Sequence, residues 1–280
     1  MLKKVARWVV PGACAAVAVW VLATRWGSVL SAHPAYLVLL LVVGAAGLLG
    51  LVGPVRYRWL ALPLVLVVPL VWLRPFPADD TPPATGVQVV DRWDSIELRP
   101  DRGTPTEGLV FFQGARVDAR AYLPLLSRVA ERGALVVVVK APLDFALLAS
   151  AGDLLDGHPE ITRWTSAGHS LGGVAASGLA ADDDRVRGLL LWASYPSQDL
   201  SGRDLDVTSI SGDRDGFTTP QDVLDKRPLL PADTRYEVVP GAVHAFFGDY
   251  GPQPGDGEPS TDRANAQDRI VEVSAEALGL

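Results

Sequence analysis

Residues 167–173 read AGHSLGG, and this run decides the fold. Residues 163–168 before it have strand character, and from 171 to about 180 the residues read as a helix. Gly168-His169-Ser170-Leu171-Gly172 therefore sits at a strand-to-helix junction and satisfies the pattern G-x-S-x-G. That pattern places a serine on a strained turn at the strand end. The flanking positions are glycine because a side chain there would collide with neighbouring backbone. The helix that follows points its N-terminus at the serine, which favours a negative charge developing there. On its own the pattern also describes a glycine-rich tight turn, so its meaning depends on what surrounds it.

Working outward, strands and helices alternate. Residues 87–90 form a short strand. Residues 108–112 (GLVFF) form an apolar strand that ends in Gln113-Gly114. Asp118 is a plausible cap for a helix over 119–132, with apolar positions at Ala121, Leu123, Leu125, Leu126 and Val129, and Gly133 ends it. Residues 134–140 (ALVVVVK) form a strand without polar alternation, which implies burial on both faces under helices. A helix near 143–151, strands at 187–194, 206–212 and 235–241, and a closing helix near 261–277 complete the pattern. The expected fold class is α/β, a doubly wound and mostly parallel sheet.

The partners a serine nucleophile needs follow it in chain order. Residues 211–216 (SGDRDG) carry Asp213 and Asp215 after a strand, and residues 240–248 (PGAVHAFFG) carry His244 in a loop after another. Only four histidines exist. His33 lies in the apolar N-terminal part, His158 precedes the serine and His169 is part of the turn, so His244 is the one placed to act as base. Of the two carboxylates, the Gly-x-x-Asp spacing favours Asp215 as the acid, with Asp213 as the competing choice.

GHSLGG, SGDRDG and the His244 loop together resemble the α/β-hydrolase superfamily, and within it the small lidless members related to dienelactone hydrolases. The runs 108–143 and 243–257 resemble a bacterial branch of the same superfamily. The likeness covers about 108–278. It implies a serine hydrolase with Ser170, His244 and Asp215 as its triad, working through an acyl-enzyme without a cofactor. It further implies an oxyanion hole made by two amides, that of Leu171 and that of Ala115, with Gly114 as runner-up. The chain departs from the His-Gly form of that loop by carrying Gln113-Gly114.

Only residues 194–205 separate the strand after the turn helix from the acid strand. That is too short for a helical lid, so the expectation is an open site for a small or surface-presented ester. Tyr195, Phe217, Phe246 and Phe247 are candidates to line it, with burial in the core as the equal alternative. The acidic run 248–257 has no metal-ligand spacing and reads as a Gly/Pro turn over the site, so no metal is assigned. A catalytically silent fold used for binding or scaffolding is the competing class. An amidase or acyltransferase on the same triad is a competing activity.

The first quarter of the chain is a different solvent problem. Residues 1–74 hold seven basic residues and no Asp or Glu, leaving 18 of the 25 basic residues against all 32 acidic ones, a formal charge of −14 for the remainder. Such an acidic domain disfavours nucleic-acid binding. Uncharged runs at 8–24, 34–53 and 59–73 predict a membrane anchor of about three helices over 1–74, joined by a proline-rich linker at 75–85 to a domain at 86–280. Lys3, Lys4, Arg7, Arg56 and Arg58 against Arg25 and Arg74 predict the N-terminus inside and the catalytic domain outside the cytoplasm. The third run is the short one, and an interfacial placement of it would reverse that side. Trp8, Trp20, Trp26, Tyr57, Trp59 and Trp72 lie near the run ends. The single cysteine, Cys14, reads as a packed thiol within the first run.

Overall fold

Leu109 and Phe111 face one side of their strand, Val110 and Phe112 the other, and all four are buried. This period-two division of apolar residues is what a sheet covered on both faces requires. The computed structural model describes residues 2–52 and 61–280, with side chains for 8–52 and 65–280. Arg56, Tyr57, Arg58 and Trp59, and the side chains of Lys3, Lys4 and Arg7, lie outside the described residues.

Eight strands form one sheet: β1 Val87–Asp91, β2 Ser95–Pro100, β3 Glu107–Phe112, β4 Leu135–Val139, β5 Arg163–His169, β6 Val186–Trp192, β7 Asp206–Gly212 and β8 Arg235–Val239. Their order is β1-β2-β4-β3-β5-β6-β7-β8, with β3 to β8 parallel and β1 and β2 antiparallel at one edge. From β3 the chain steps outward to β4, then returns to place β5 on the other side. That reversal opens a crevice at the carboxyl ends of β3 and β5, where open α/β sheets bind ligands.

Helices cover both faces. On one face α4 (Leu123–Ala130) and α8 (Arg263–Ala277) bury Leu125, Val129, Ile270 and Val273 against Leu109, Phe111 and Trp192. On the other, α5 (Gly152–Asp156) and α6 (Leu171–Asp182) bury Leu155, Ala176 and Ala180 against Val110, Val137 and Leu191. The fully buried Trp192 donates Nε1–H to Ser274 Oγ at 2.9 Å, so its one polar atom is satisfied inside the core.

Three elements differ from the sequence reading. The expected helix at 143–151 is replaced by 3-10 turns at Pro142–Asp144 and Ala146–Leu148, with α5 following. Leu143 and Asp144 adopt φ of 60° and 51°, a left-handed backbone that cannot continue an α-helix. β2 was not expected. Its Glu97 is buried yet accepts from Arg92 and Arg99, which conceals a sheet position behind a charge-rich sequence. The short α7 (Pro220–Lys226) was also not expected, although Thr219 and Asp222 form a capping box at its start.

At the N-terminus lie α1 (Leu2–Ser31), α2 (Pro34–Val52) and α3 (Ala61–Trp72). Helix α1 continues past the run expected at 8–24, but its backbone leaves helical geometry at Arg25. Residues 8–31 and 34–52 are long and apolar enough to cross a membrane, with mean hydropathies of 1.5 and 2.6. Among the described residues helix α3 has 12 residues, about 18 Å. Cys14 is buried among Ala18, Tyr36, Leu40 and Leu70 in the cluster these helices share.

The linker lies against the domain. Phe76 bridges Val117, Asp79 N–H donates to Asp249 O, and Ala84 N–H donates to Ser127 Oγ.

Candidate active site

Ser170 caps α6 with φ 54° and ψ −124°, a conformation non-glycine residues adopt at a cost of about 1–3 kcal/mol. The close approach that enforces it is visible in the two flanking glycines. A Cβ on Gly168 would lie 2.2 Å from the Gly172 carbonyl carbon, and one on Gly172 would lie 2.1 Å from the Phe112 oxygen. The turn is also pinned by hydrogen bonds: Ser170 N–H donates to Trp192 O at 3.0 Å, and Ser194 Oγ donates to Ser170 O at 2.6 Å.

His244 begins a 3-10 turn after β8 and Asp215 lies in the loop after β7. Both are buried, and His244 Nδ1 sits 2.8 Å from Asp215 Oδ2. The other Asp215 oxygen accepts the N–H groups of Phe217 at 2.8 Å and Thr218 at 2.7 Å. A carboxylate held this way has one oxygen left for the imidazole, which orients the ring. Asp213 is exposed, and its side chain accepts from Gly241 N–H at 2.6 Å instead. The Ser170 hydroxyl makes no side-chain hydrogen bond among the described residues. Such contacts are often loose before substrate binds.

Across the crevice, the loop after β3 carries Gly114 and Ala115. Gly114 N–H donates to Tyr122 Oη at 2.9 Å, and Tyr122 Oη in turn lies 2.9 Å from His169 Nδ1. Burial, reinforced by the neighbouring His244 ring, holds the His169 pKa well below the ordinary imidazole value. The Gly114 amide is thus occupied, whereas the amides of Ala115 and Leu171 have no acceptor among the described residues.

That loop has a second support which the sequence did not reveal. Buried Gln113 donates Nε2–H to Val117 O and to Asp144 Oδ1, both at 2.9 Å, and Arg116 N–H donates to Asp144 O at 2.8 Å. Burial first, and the Asp118 carboxylate second, push the Asp144 pKa up to about 7, an effect the Gln113 hydrogen bond partly offsets. Asp256 was also missed. In the run read only as a turn, its carboxylate accepts backbone N–H groups from Gly216, His244, Ala245 and Gly257. A sequence signal for it was the Gly-Asp-Gly at 255–257, a sharp turn that brings a carboxylate close to neighbouring backbone.

The aromatic candidates divide. Phe217 is 43% exposed and meets the His244 ring edge-on at a centroid distance of 5.3 Å. Tyr195 is half-buried, with Lys226 Nζ 5.7 Å from its ring centre. Phe246 and Phe247 belong to the core, where Phe247 stacks on His169.

A strained serine after a parallel strand, with a histidine–carboxylate pair on the next loops of the same sheet edge, defines a hydrolase of the α/β type. The chain belongs to the alpha/beta hydrolase family, whose pattern matches residues 108–268. Three solved structures are similar to it. An alpha/beta hydrolase-like protein of unknown function from Agrobacterium tumefaciens is 15% identical, with a TM-score of 0.50 over 69% of this chain and 94% of its own. The esterase domain of a Rhodothermus marinus protein is 11% identical, with a TM-score of 0.51 over 69% and 98%. A dienelactone hydrolase-like promiscuous phosphotriesterase from metagenomic libraries is 16% identical, with a TM-score of 0.48 over 66% and 92%. For the Agrobacterium tumefaciens and Rhodothermus marinus proteins the likeness, at these identities, is one of fold. No curated protein matches the chain.

Proposed function

We propose that the chain is a membrane-anchored serine hydrolase that cleaves carboxylic esters through Ser170, His244 and Asp215. The observation that carries this reading is the buried 2.8 Å contact between His244 and Asp215, formed on loops beside a strained serine. His244 Nε2 takes the Ser170 proton as Oγ bonds to the ester carbonyl carbon, and the carbonyl electrons move to an oxyanion. The amides of Leu171 and Ala115 hold that oxyanion, a role for which Gly114 is disfavoured by its bond to Tyr122. Collapse breaks the bond to the alcohol, which leaves with the proton from His244. Water then attacks the acyl-enzyme by the same route and releases the acid.

Anchoring is supported by the two long apolar helices. A three-pass arrangement is supported by the way the helix ends meet the domain side. Arg25, near the C-terminal end of α1, donates to Pro75 O at 2.9 Å. His33, at the start of α2, lies 5.4 Å from the Trp93 ring. Trp72, at the end of α3, lies 6.5 Å from Phe145. Together with the basic residues, this favours a domain outside the cytoplasm.

The test is labelling of the full chain, purified in mild detergent, with a fluorophosphonate, followed by peptide mass spectrometry. One adduct on Ser170 is expected. A folded chain that takes no probe would favour a silent binding domain.

A further inference from the structure

Residues 114–117 lie in the loop after β3, and three of their four backbone N–H groups are engaged. That of Gly114 donates to Tyr122 Oη at 2.9 Å, that of Arg116 to Asp144 O at 2.8 Å and that of Val117 to Gly114 O at 3.2 Å. The amide of Ala115, between them, has no acceptor among the described residues. Arg116 has φ 66°, in the left-handed region that a residue with a Cβ occupies only when its surroundings hold it there.

Much of what holds Arg116 comes from the N-terminal part of the chain. Phe76 N–H donates to Arg116 O at 2.6 Å and Asp118 N–H donates to Phe76 O at 3.0 Å, so the linker pairs with the loop as a short parallel bridge opposite Val117. The Arg116 guanidinium lies 4.8 Å from the Phe76 ring centre and 5.6 Å from that of Trp72, the last residue of α3. Its Nη2 donates to Arg74 O at 3.4 Å, while its buried Nε has no acceptor among the described residues. Two aromatic faces and one carbonyl therefore hold the cation. The same linker is tied to α1: Arg25 Nε donates to Pro75 O at 2.9 Å, and the Arg74 guanidinium lies 4.5 Å from the Trp20 ring centre. A second path runs through Asp144, which accepts the Arg116 N–H. Its neighbours Leu143 and Phe145 pack against the cluster that Tyr36, Leu40 and Leu70 form in the anchor.

We propose that the anchor positions the oxyanion donor: Trp72, Arg74 and Phe76 clasp Arg116 and thereby fix the Ala115 amide, so that turnover depends on the anchor being seated on the domain. The proposal rests on the serine-hydrolase reading, in which that amide holds the oxyanion. An oxyanion donor contributes about 10²–10³ in kcat, and only when it is aimed where the charge develops. A displacement of about 1 Å forfeits much of that. Arg116 acts through Ala115 and is a positioning residue. Because the donor serves the tetrahedral adduct rather than the bound ester, loosening it changes kcat and leaves KM nearly alone.

The test uses the full chain in mild detergent, with p-nitrophenyl acetate as substrate and trifluoroacetone as a mimic of the tetrahedral adduct. Arg116→Ala should lower kcat at least about tenfold with KM within about twofold, and should weaken the ketone by the same factor as kcat. Trp72→Ala, which leaves every residue of the sheet and its loops in place, should do the same to a smaller extent. Trp72→Phe keeps an aromatic face and should restore most of the loss. The double alanine variant should be no worse than Arg116→Ala, because both remove one contact. If Arg116→Ala does not fold, the Trp72 variants alone carry the comparison. Unchanged kcat in the folded alanine variants, or a lower kcat without weaker ketone binding, would overturn the proposal, while fluorophosphonate labelling of Ser170 leaves the hydrolase reading intact. Losses that multiply in the double variant would show that Trp72 acts apart from Arg116 and would overturn the clasp. A wild-type chain that takes no probe and turns over no ester would remove both readings.

Discussion

Asp256 accepts the backbone N–H of His244 at 3.2 Å and, through the same oxygen, that of Gly216 at 3.1 Å. One carboxylate thus joins the loop carrying His244 to the loop carrying Asp215. The two loops approach so closely that a Cβ on Gly257 would lie 1.8 Å from the Arg214 oxygen. Asp256→Ala should lower kcat about 100-fold with KM little changed, because a displacement of about 1 Å in a catalytic group has that effect. Asp256→Asn, which keeps one acceptor oxygen, should fall between. Steady-state kinetics alongside a melting curve check this, and a loss confined to Tm would mean Asp256 only stabilises the fold.

The two carboxylates of the loop after β7 should separate cleanly. Asp215→Asn removes the acceptor that orients His244 and should lower kcat by about 10⁴. Asp213→Asn disturbs only the Gly241 contact and should cost about 1 kcal/mol of stability with kcat nearly intact. The reverse ranking would reassign the acid.

Asp144 gives a pH signature with a definite sign. Its folded pKa is raised from 3.8 to about 7. Between those values the unfolded chain has released the proton and the folded chain retains it, so stability falls as pH rises through that window. Asp144→Asn cannot titrate. Measured in detergent from pH 4 to 8, wild-type Tm should therefore decline relative to the variant up to about pH 7 and run parallel above it. Parallel curves throughout would show that Asp144 is ionised in the fold.

Much of this architecture is legible in the sequence because it rests on local or periodic signals. The doubled apolar faces of residues 108–112 and 135–139 declare a covered sheet, and Gly168 and Gly172 mark the turn at Ser170. What was not legible depends on contacts distant in the chain. Glu97 occupies a buried strand position only because Arg92 and Arg99 neutralise it. Nothing local announces that Leu143 and Asp144 turn left-handed. The links from Asp256 to His244 and from Tyr122 to Gly114 exist only after folding.

The placement of the domain is tested with Ser260→Cys in a Cys14→Ser background, since Ser260 is exposed on the domain surface. A membrane-impermeant maleimide should label it in intact cells. Labelling that needs lysis would put the domain on the cytoplasmic side.

The most direct measurement is ester turnover by Ser170→Ala. The turn is set by the packing of Gly168 and Gly172 and by backbone bonds to Trp192 and Ser194, so removing the hydroxyl should leave Tm within a few degrees of wild type. Loss of the nucleophile should lower kcat by about 10⁴ or more. His244→Ala should do nearly the same, and the double variant should be little worse than either, because the groups act as a unit. Turnover by a folded Ser170→Ala protein at the wild-type rate would contradict the account at its centre.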